Sequence, residues 1–474
     1  MESAVRYYRE LSRETPIVYE VDVIVAGGGV SGCAAAVSAA RNGAKTLLVE
    51  RNGVPGGIAT AGLMSNIGNA FMTLENMPVV KGIPREVVER LVSEGGTKPG
   101  WHRPEQPGVV FDPEIMKIVL IDMLREAGVD VLLHALTVGV IKEGARVRGV
   151  LIESKSGRQA AVAANVIDAT GEADLAHFAG ARCRVVPSGG SMLFRLANVD
   201  LDRAVDWIGE HRESFPDGSD GVKDYETFRR NWKEFGFFFF PHHGGKKFKP
   251  WNDAIESGEY SEKDGDWYAL NAFGMYGLAG DGTVVINSNY MWLTDVDVRL
   301  YSKAELEGRR VCHRVAEFLR KHLPGFEKAI VVQTAEDWGQ RRNRLIEGRT
   351  TLTNDDVIAG REWDDVIGRF PLKQVGEPRF GVEIPFGVMV PLNVEGLLVA
   401  SGKSISTDPV GLIRGMSRCM TLGEAAGVAA AIGSRSDTPA ERVPIREVQK
   451  QLVAQGAYLG PAERLAALGV QSST

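Results

Sequence analysis

The sequence predicts an α/β fold in which a doubly wound, Rossmann-like domain carries an inserted α+β domain. A short apolar run, Val21 to Ala26, leads through a glycine-rich turn into an alanine-rich stretch and a second apolar run. Similar apolar runs with glycine at their end return at Asn165 to Asp174 and at Gly396 to Ser401. The long segment between these returns is rich in aromatic residues and lacks the doubly wound rhythm, so we expect it to form a separate unit.

The first apolar runs form the central unit of this fold. VDVIVA is rich in β-branched residues and too short for a helix, which is typical of a buried parallel strand. Val30 to Asn42 has the pattern of a tightly packed helix, and Gly43 supplies its stop. Lys45 to Glu50 predicts a second strand, and the three segments together predict a βαβ unit.

Later segments complete the first domain. Asp130 to Lys155 alternates short apolar runs with turn residues and predicts an antiparallel meander. Thr421 to Ile432 predicts an alanine-rich helix after the last apolar run. The expected divisions are an N-terminal extension at 1–19, a dinucleotide-binding domain at 20–186 and 385–435, an inserted substrate domain at 187–384, and a helical tail at 436–474.

Composition argues against several classes of function. The 474 residues include 55 basic and 61 acidic side chains, a net charge of -6, so we expect no attraction to nucleic acid or anionic lipid. The four cysteines form no CxxC pair, which argues against zinc, iron-sulfur and dithiol redox sites. The apolar runs are too short to span a bilayer, and the charged start lacks the apolar stretch of a signal peptide, so we expect a cytoplasmic protein without membrane insertion.

The glycine-rich turn predicts a dinucleotide site. Gly27, Gly29 and Gly32 supply a tight turn, a close approach to pyrophosphate and close packing of helix on strand. Phosphates would meet free N–H groups at the start of the helix, and Glu50 would accept hydrogen bonds from a ribose. The unit does not separate NAD from FAD. The loop around Gly56 and Gly57 would let backbone approach a flat ring, although Pro-Gly-Gly is also an ordinary turn.

The segment GGGVSGCAAAVSAARNGAKTLLVERNGVPGGIATAGL resembles the start of FAD-dependent oxidoreductases that are distantly related to fumarate reductase flavoproteins. DATGEADLAHFAGA is similar to the second flavin motif of that family, and three further stretches resemble the same branch: AEDWGQRRNRLIEGRTTLTNDDVIAGREWDD, EIPFGVMVPLNVEGLLVASGKSIS and GLIRGMSRCMTLGEAAGVAAA. The resemblance implies one FAD per chain. Relatives with covalent flavin carry a histidine after the acid, and none lies between Glu50 and Asn76, so non-covalent FAD is expected.

The resemblance implies a set of cofactor-binding residues. The pyrophosphate and the adenosine ribose are assigned to the glycine turn and Glu50, and the path towards the isoalloxazine to Arg51, Gly56 and Gly57. A second set of residues would complete the dinucleotide-binding site and contact the isoalloxazine end of FAD. There, a helix beginning near Leu412 would stabilise negative charge on the reduced flavin. This set is Thr170, Gly171, Asp174, Gly402 and Gly411.

Candidates for catalysis lie in the inserted domain. In GQRRNRLIEG, Arg341 and Arg344 match the family pattern, while Arg342 stands where an acid is usual and Asn343 replaces a hydroxyl residue. The arginines would clamp a substrate anion or polarise the substrate, or they form a structural ion-pair cluster. His243, beside His242 after a phenylalanine run, would take a hydroxyl proton, or it lies at the exposed edge of a core.

Smaller signals allow two interpretations each. Arg414, beside the flavin-end loop, has the same two interpretations as the arginine cluster. Asn287, Asn289 and Tyr290 end an expected strand and face a pocket or satisfy turns, and the phenylalanine run is more typical of a core than of a substrate platform.

The leading hypothesis is an enzyme that transfers a hydride between FAD and a small organic substrate, either a hydroxylated compound or an alkene–alkane pair. A redox-neutral flavoenzyme, an isomerase or lyase, is the alternative, and a non-catalytic nucleotide-binding module is a third class. The electron acceptor is not encoded in any visible motif. The tail, from Val443 to Gly456, has apolar positions that could pack on the body or on a second subunit, so a homo-oligomer stays open.

Overall fold

The computed structural model describes residues 8–68, 71–103, 108–215, 224–241, 248–261, 263–264, 268–269, 273–341, 344–372 and 378–470. The first part of the chain forms eight strands and three helices among these residues. They are β1 (Ile17–Ala26), α1 (Val30–Arg41), β2 (Thr46–Val49), β3 (Asn66–Gly68), α2 (Ile83–Ser93), β4 (Gly108–Val110), α3 (Pro113–Glu126), β5 (Asp130–Leu132), β6 (Leu136–Glu143), β7 (Arg146–Ser154) and β8 (Gly157–Asp168).

The middle of the chain forms shorter strands around five helices. The elements are α4 (Asp174–Phe178), β9 (Cys183–Val185), β10 (Ser188–Ser191), β11 (Phe194–Ala197), α5 (Leu201–Glu210), α6 (Tyr225–Phe235), β12 (Phe237–Phe240), α7 (Lys249–Glu256), β13 (Lys263–Asp264), β14 (Tyr268–Ala269), β15 (Gly274–Leu278), β16 (Thr283–Asn287), β17 (Tyr290–Leu293), α8 (Val298–His322), β18 (Ile330–Thr334) and β19 (Gly339–Gln340).

The last part returns to the first domain. Its elements are β20 (Arg344–Ile346), β21 (Leu352–Thr353), α9 (Asn354–Ile358), β22 (Val366–Phe370), β23 (Val382–Pro385), β24 (Leu397–Val399), β25 (Thr407–Asp408), α10 (Met416–Ser434), α11 (Ile445–Ala454) and α12 (Ala462–Leu468).

A seven-stranded sheet in the order β5-β2-β1-β8-β7-β6, with β24 also paired to β8, carries the first domain. Strands β5, β2, β1, β8 and β24 pair in parallel, whereas β6, β7 and β8 form an antiparallel meander. Helices α1 and α10 pack closely, because a Cβ on Gly423 would lie 2.0 Å from the Ser31 carbonyl oxygen and one on Gly427 would lie 2.3 Å from that of Ala35. The predicted α/β fold, with a returning strand and an alanine-rich helix, is confirmed.

Two local predictions differ from the structure. The run at Asp130 was expected to open the meander, but β5 pairs in parallel with β2, because helices α2 and α3 carry the chain back to the same edge of the sheet before β5 begins. The helix expected near Leu412 begins at Met416, because Gly415 is its extended N-cap and a turn through Gly411 precedes it.

The inserted segment contains two five-stranded sheets, in the orders β13-β14-β17-β10-β19 and β12-β15-β16-β11-β18. A second hydrophobic core joins these sheets to the helices around them, mainly through residues between 192 and 338. The phenylalanines of β12 are at most 3% exposed, so that run is core, as the sequence indicates. Leu63 and Val110 of the first domain also join this core, which brings the two regions together. The domain boundaries themselves stay a prediction.

The tail packs on the body of the chain. Val448 and Leu452 of α11 are buried, and the side chain of Gln449 donates to the backbone oxygens of Asp364 and Val366. In the part of the chain that the structure describes, no helix combines the length and the apolar composition that crossing a bilayer requires.

Candidate functional site

The glycine turn between β1 and α1 packs tightly against the second motif of the sequence, which begins at Asp168. Gly27 has φ +94°, and a Cβ there would lie 2.4 Å from the carbonyl oxygen of Ala169. A Cβ on Gly32 would lie 1.8 Å from the carbonyl oxygen of Gly27. Gly29, in contrast, has φ -63° and nothing within 4 Å of an added Cβ. The turn is therefore closed towards the protein and open at Gly29.

Glu50 is oriented by backbone donors at the end of β2. Its carboxylate is buried and accepts from the N–H of Gly28 at 2.5 Å and from that of Asn52 at 2.7 Å. Burial raises the pKa of Glu50, while the two backbone hydrogen bonds oppose that rise. Because a carboxylate has about four acceptor positions, capacity remains for a ribose diol.

The loop after Glu50 lies on the first turn. The N–H of Gly56 donates to the Gly28 carbonyl at 2.7 Å, and a Cβ on Gly57 would lie 3.0 Å from the Cα of Gly29. Gly56 and Gly57 have φ of +110° and +54°, a region that favours glycine. The structure thus brings the two glycine signals of the sequence into direct contact.

Buried Asp168 organises the second motif. Its Oδ1 accepts from the N–H and the hydroxyl of Thr170, and its Oδ2 accepts from the N–H of Ala176. Burial raises the pKa of Asp168 to about 6. The Thr170 hydroxyl in turn accepts from the N–H of Asp174, and Gly171 follows Thr170 with φ +96°. These bonds place the motif beside Gly27.

The returning loop after β24 closes over the second motif. The hydroxyls of Ser401 and Ser404 donate to the Gly171 carbonyl, and a Cβ on Gly402 would lie 2.3 Å from the Ile413 carbonyl oxygen. Gly411, at φ +78°, lies further along this loop. The predicted residues at the flavin end therefore belong to one loop, although 230 residues separate Ser401 from Gly171.

The cradle formed by these segments fits a dinucleotide. Helix α1 has no acidic residue in its first turn and no side-chain cap from any residue that the structure describes, so its first N–H groups are available to an anionic ligand. The open face of Gly29 lies at this terminus, and an added side chain would occupy it. Backbone donors and an oriented carboxylate are the groups that pyrophosphate and ribose need.

Arg51 connects the cradle to the inserted segment. Its Nη2 lies 2.6 and 2.5 Å from the two carboxylate oxygens of Asp337. The backbone N–H of Glu336 also donates to the carbonyl of Ala61, at 2.8 Å. The predicted cofactor residue Arg51 thus lies at the junction of both regions, with its side chain 57% exposed.

The two predicted catalytic arginines lie in different surroundings. Arg344 is buried, and its Nη1 lies 2.9 Å from Oδ1 of Asp174, a contact that agrees with the ion-pair alternative. Arg341 donates to the Tyr290 hydroxyl, and its guanidinium lies 4.3 Å from the centre of that ring. The third candidate, His243, lies outside the described residues.

Asn287, the last residue of β16, and Asn289, two residues beyond it, are buried. Asn289 both accepts from the N–H and donates to the carbonyl of Met192, so it satisfies backbone. Asn287 lies beside Met64, with its Nδ2 at 4.0 Å from the sulfur, and its Oδ1 has no hydrogen-bond partner among the described residues.

Sequence reasoning missed two residues at this junction, Asp337 and Lys403. Lys403 Nζ donates to the Gln340 carbonyl at 3.1 Å and would lie 3.3 Å from a Cβ on Gly171. The signal for Lys403 was its position beside Gly402 in the family-like loop. Asp337 carried the same kind of signal, since it lies in the family-like stretch that begins AEDWGQ.

The family model described as FAD dependent oxidoreductase matches residues 22–452. A curated relative, digeranylgeranylglycerophospholipid reductase 3 of Methanosphaera stadtmanae, is 30% identical over 149 residues, which are 29% of this chain and 35% of the relative. The match therefore spans about a third of that relative.

Two solved structures align with most of the chain. A geranylgeranyl bacteriochlorophyll reductase-like protein from Thermoplasma acidophilum is 16% identical, with a TM-score of 0.43, over 92% of this chain and 87% of that one. The p-nitrophenol 4-monooxygenase of Pseudomonas putida is 12% identical, with a TM-score of 0.47, over 95% and 93%.

Proposed function

The chain belongs to the FAD dependent oxidoreductase family, so it is an enzyme whose cofactor is FAD, and we propose that it transfers a hydride between FAD and a small organic substrate. When bound, FAD accepts or donates the hydride. The observation that carries the proposal is the contact between the cradle and the inserted segment, where Arg51 meets Asp337 and Lys403 meets Gln340. The substrate would lie between these two regions.

The cofactor residues in this proposal are those of the sequence motifs. The glycine turn and the start of α1 hold the pyrophosphate, and Glu50 holds the ribose. The remaining positions line the path to the isoalloxazine and its far end. They are Arg51, Gly56, Gly57, Thr170, Gly171, Asp174, Gly402 and Gly411.

On the substrate side, Arg341 binds and orients the substrate, because its guanidinium is held on the Tyr290 ring beside the junction. Arg344 acts through Asp174, whose carboxylate it holds in place. His243 is the proposed proton acceptor. The FAD is held without a covalent bond, as the absence of histidine between Glu50 and Asn76 indicates, and the motifs make a distant relation to fumarate reductase flavoproteins part of the proposal.

Two substrate classes follow from hydride chemistry, a hydroxylated compound or an alkene–alkane pair. The curated relative is named as a reductase, so reduction of an alkene belongs in the test together with oxidation of alcohols. Anaerobic mixing of the FAD-loaded protein with sugars and hydroxy acids should bleach the flavin absorbance for an active compound. Photoreduced protein mixed with alkenes, a geranylgeranyl compound among them, tests the other direction.

Arg341→Met should raise the KM for the active compound by about 10- to 100-fold, because the substrate loses a charged hydrogen-bond donor of the protein. Arg212→Met is a matched control, since Arg212 is an exposed arginine of the inserted segment that pairs with Glu226. Failure of every compound to reduce or reoxidise the flavin contradicts hydride transfer. Release of the flavin on acid precipitation is expected, and flavin that stays with the protein contradicts non-covalent binding.

A further inference from the structure

The segment that leads into helix α10 carries an excess of positive charge. Positions 401–419 contain three basic residues and one acidic residue, Asp408, which is exposed. The first turn of α10 contains no acidic residue. Because the N-terminus of a helix carries a partial positive charge, an arginine in the first turn is electrostatically unfavourable unless an anion lies near. Arg418, in the first turn of α10, is such an arginine.

Neutral groups hold the guanidinium of Arg418 in place. Its Nη1 donates to the carbonyl of Leu412 at 2.8 Å, and its Nη2 donates to the carbonyl of Pro371 at 2.9 Å. The guanidinium also lies over the ring of Phe370, 4.3 Å from the ring centre. Among the residues that the structure describes, no carboxylate is one of the groups that act on it. These contacts orient the guanidinium and leave its charge uncompensated.

The surroundings of Arg418 favour the loss of its charge. Burial lowers the pKa of Arg418 to about 10, and the neighbouring guanidinium of Arg414 acts in the same direction. Arg418 still carries its charge at neutral pH, because this pKa lies well above 7. The fold therefore keeps a cation where burial opposes it, a conflict that a bound anion would relieve.

A buried thiol marks the place on which further cations act. Cys419, the residue after Arg418, is 8% exposed, and burial raises the pKa of its thiol. The charges of Lys403, Arg418 and Arg414 each oppose that rise. Three cations therefore act on one buried sulfur. We name Lys403, Arg414 and Arg418 the Cys419 cation group.

The Cys419 cation group belongs to the loop assigned to the isoalloxazine end of FAD. A Cβ on Gly402 would lie 3.0 Å from the sulfur of Cys419. Leu412, whose carbonyl accepts from Arg418, directly follows Gly411. The two glycines proposed for the flavin end are therefore adjacent to residues that contact or carry this charge.

We propose that Arg418 raises the reduction potential of the bound FAD through its charge, and that Lys403 and Arg414 add to the same field. Reduction places negative charge on the flavin, so a cation held close to the flavin loop favours the reduced form over the oxidised form. Arg418 acts without touching the flavin, and its contacts with Leu412 and Pro371 fix where its charge lies. The proposal concerns the cofactor alone and does not depend on the substrate.

The midpoint potential of the FAD-loaded protein, measured against redox dyes, tests the proposal. Arg418→Gln keeps a hydrogen-bond donor and loses the charge. It should weaken binding of reduced relative to oxidised FAD by about 10-fold, which lowers the potential by about 30 mV for a two-electron couple. Arg418→Lys keeps the charge and should retain most of the wild-type potential. Arg435→Gln is the matched control, because Arg435 lies at the other end of α10 and donates to the carbonyl of Asn42 at 3.0 Å.

Two further measurements separate charge from folding. Thermal unfolding of the apoprotein and the affinity for oxidised FAD show whether the start of α10 keeps its structure in each variant. If Arg418→Gln does not fold, Arg414→Gln decides the question, because Arg414 is exposed and its replacement should cost little stability. It should lower the preference for reduced FAD by about 3-fold, less than Arg418→Gln because water and salt screen an exposed charge.

The outcomes distinguish this proposal from its alternatives. An unchanged potential in Arg418→Gln overturns it, and so does an equal loss in Arg418→Gln and Arg418→Lys, because charge is then not the cause. Weaker binding of oxidised FAD at an unchanged potential means that Arg418 only holds the loop in shape, and the proposal is wrong. A lowered potential in Arg418→Gln supports it even where no compound reduces or reoxidises the flavin, an outcome that contradicts hydride transfer alone.

Discussion

Gly29→Ala should separate cofactor binding from folding. At Gly29 the backbone has φ -63° and ψ 176°, which alanine adopts without strain, and an added Cβ meets nothing within 4 Å. The methyl group would instead occupy the open side of the turn, where the pyrophosphate is proposed to approach the N-terminus of α1. We expect an apoprotein that folds normally and binds FAD poorly.

The magnitudes follow from the same geometry. Replacing glycine stabilises a compatible site by about 0.4–1 kcal/mol through the unfolded chain, and alanine is a poorer N-cap by a similar amount, so the net change in stability stays within about 1 kcal/mol. Hydrogen bonds to a charged phosphate contribute about 1.5–3 kcal/mol each. Displacing the pyrophosphate from two N–H groups therefore weakens FAD binding by about 10²- to 10⁴-fold.

The assay measures FAD affinity by quenching of flavin fluorescence and apoprotein stability by thermal unfolding. Gly32→Ala should lower both, since its methyl group would lie 1.8 Å from the Gly27 carbonyl oxygen. Gly139→Ala is the control and should leave FAD affinity unchanged, since Gly139 lies in the meander and the new methyl group would contact the side chain of Leu151, at 3.3 Å. Normal FAD affinity in Gly29→Ala refutes the proposed path of the pyrophosphate.

Two predictions concern buried charges. Burial raises the pKa of Glu424 from 4.5 to about 7. The folded protein therefore holds this proton more tightly than the unfolded chain and loses stability as pH rises from 4.5 to 7. Glu424→Gln does not titrate, so its free energy of unfolding should rise by about 2–3 kcal/mol relative to that of wild type between about pH 5 and pH 8. Thermal midpoints of both proteins measured across this pH range test the prediction, with Glu89→Gln, at an exposed glutamate, as the control. A difference in midpoint between Glu424→Gln and wild type that does not change with pH contradicts the prediction. Glu383→Gln leaves the guanidinium groups of Arg369 and Arg464 without their buried carboxylate, which should cost about 3–5 kcal/mol and lower the thermal midpoint by about 3–5 °C; an unchanged midpoint contradicts it.

Local motifs were readable from sequence because each carries its own geometry. A strand, a glycine turn and a helix place Gly27, Gly29 and Gly32 without reference to the rest of the chain, and an acid at the next strand end places Glu50 beside them. The returning strand and the alanine-rich helix were also recognisable from composition and length. The roles of these residues towards FAD stay a prediction.

Contacts between distant segments were not readable. The pairing of Arg344 with Asp174 joins residues 170 positions apart, so spacing gave no reason to choose an ion pair over a substrate clamp. Exposure of Trp292 depends on the face of β17 that meets the core, and a single-residue change of register would reverse it. The edge position of β5 was missed for a related reason, since pairing partners are set by the path of the preceding helices.

The short segment from Ala335 to Arg341 explains how the two regions hold a fixed position. The N–H of Ala335 donates to the carbonyl of Leu193 in the inserted segment, and the N–H of Glu336 donates to the carbonyl of Ala61, in the loop that follows Gly57. Asp337 holds Arg51, and the carbonyl of Gln340 accepts from Lys403. Arg341 follows immediately, so its distance from the cradle is set by polar contacts on both sides of a seven-residue segment. The proposed substrate-binding side and the proposed cofactor-binding side are therefore positioned by the same piece of backbone.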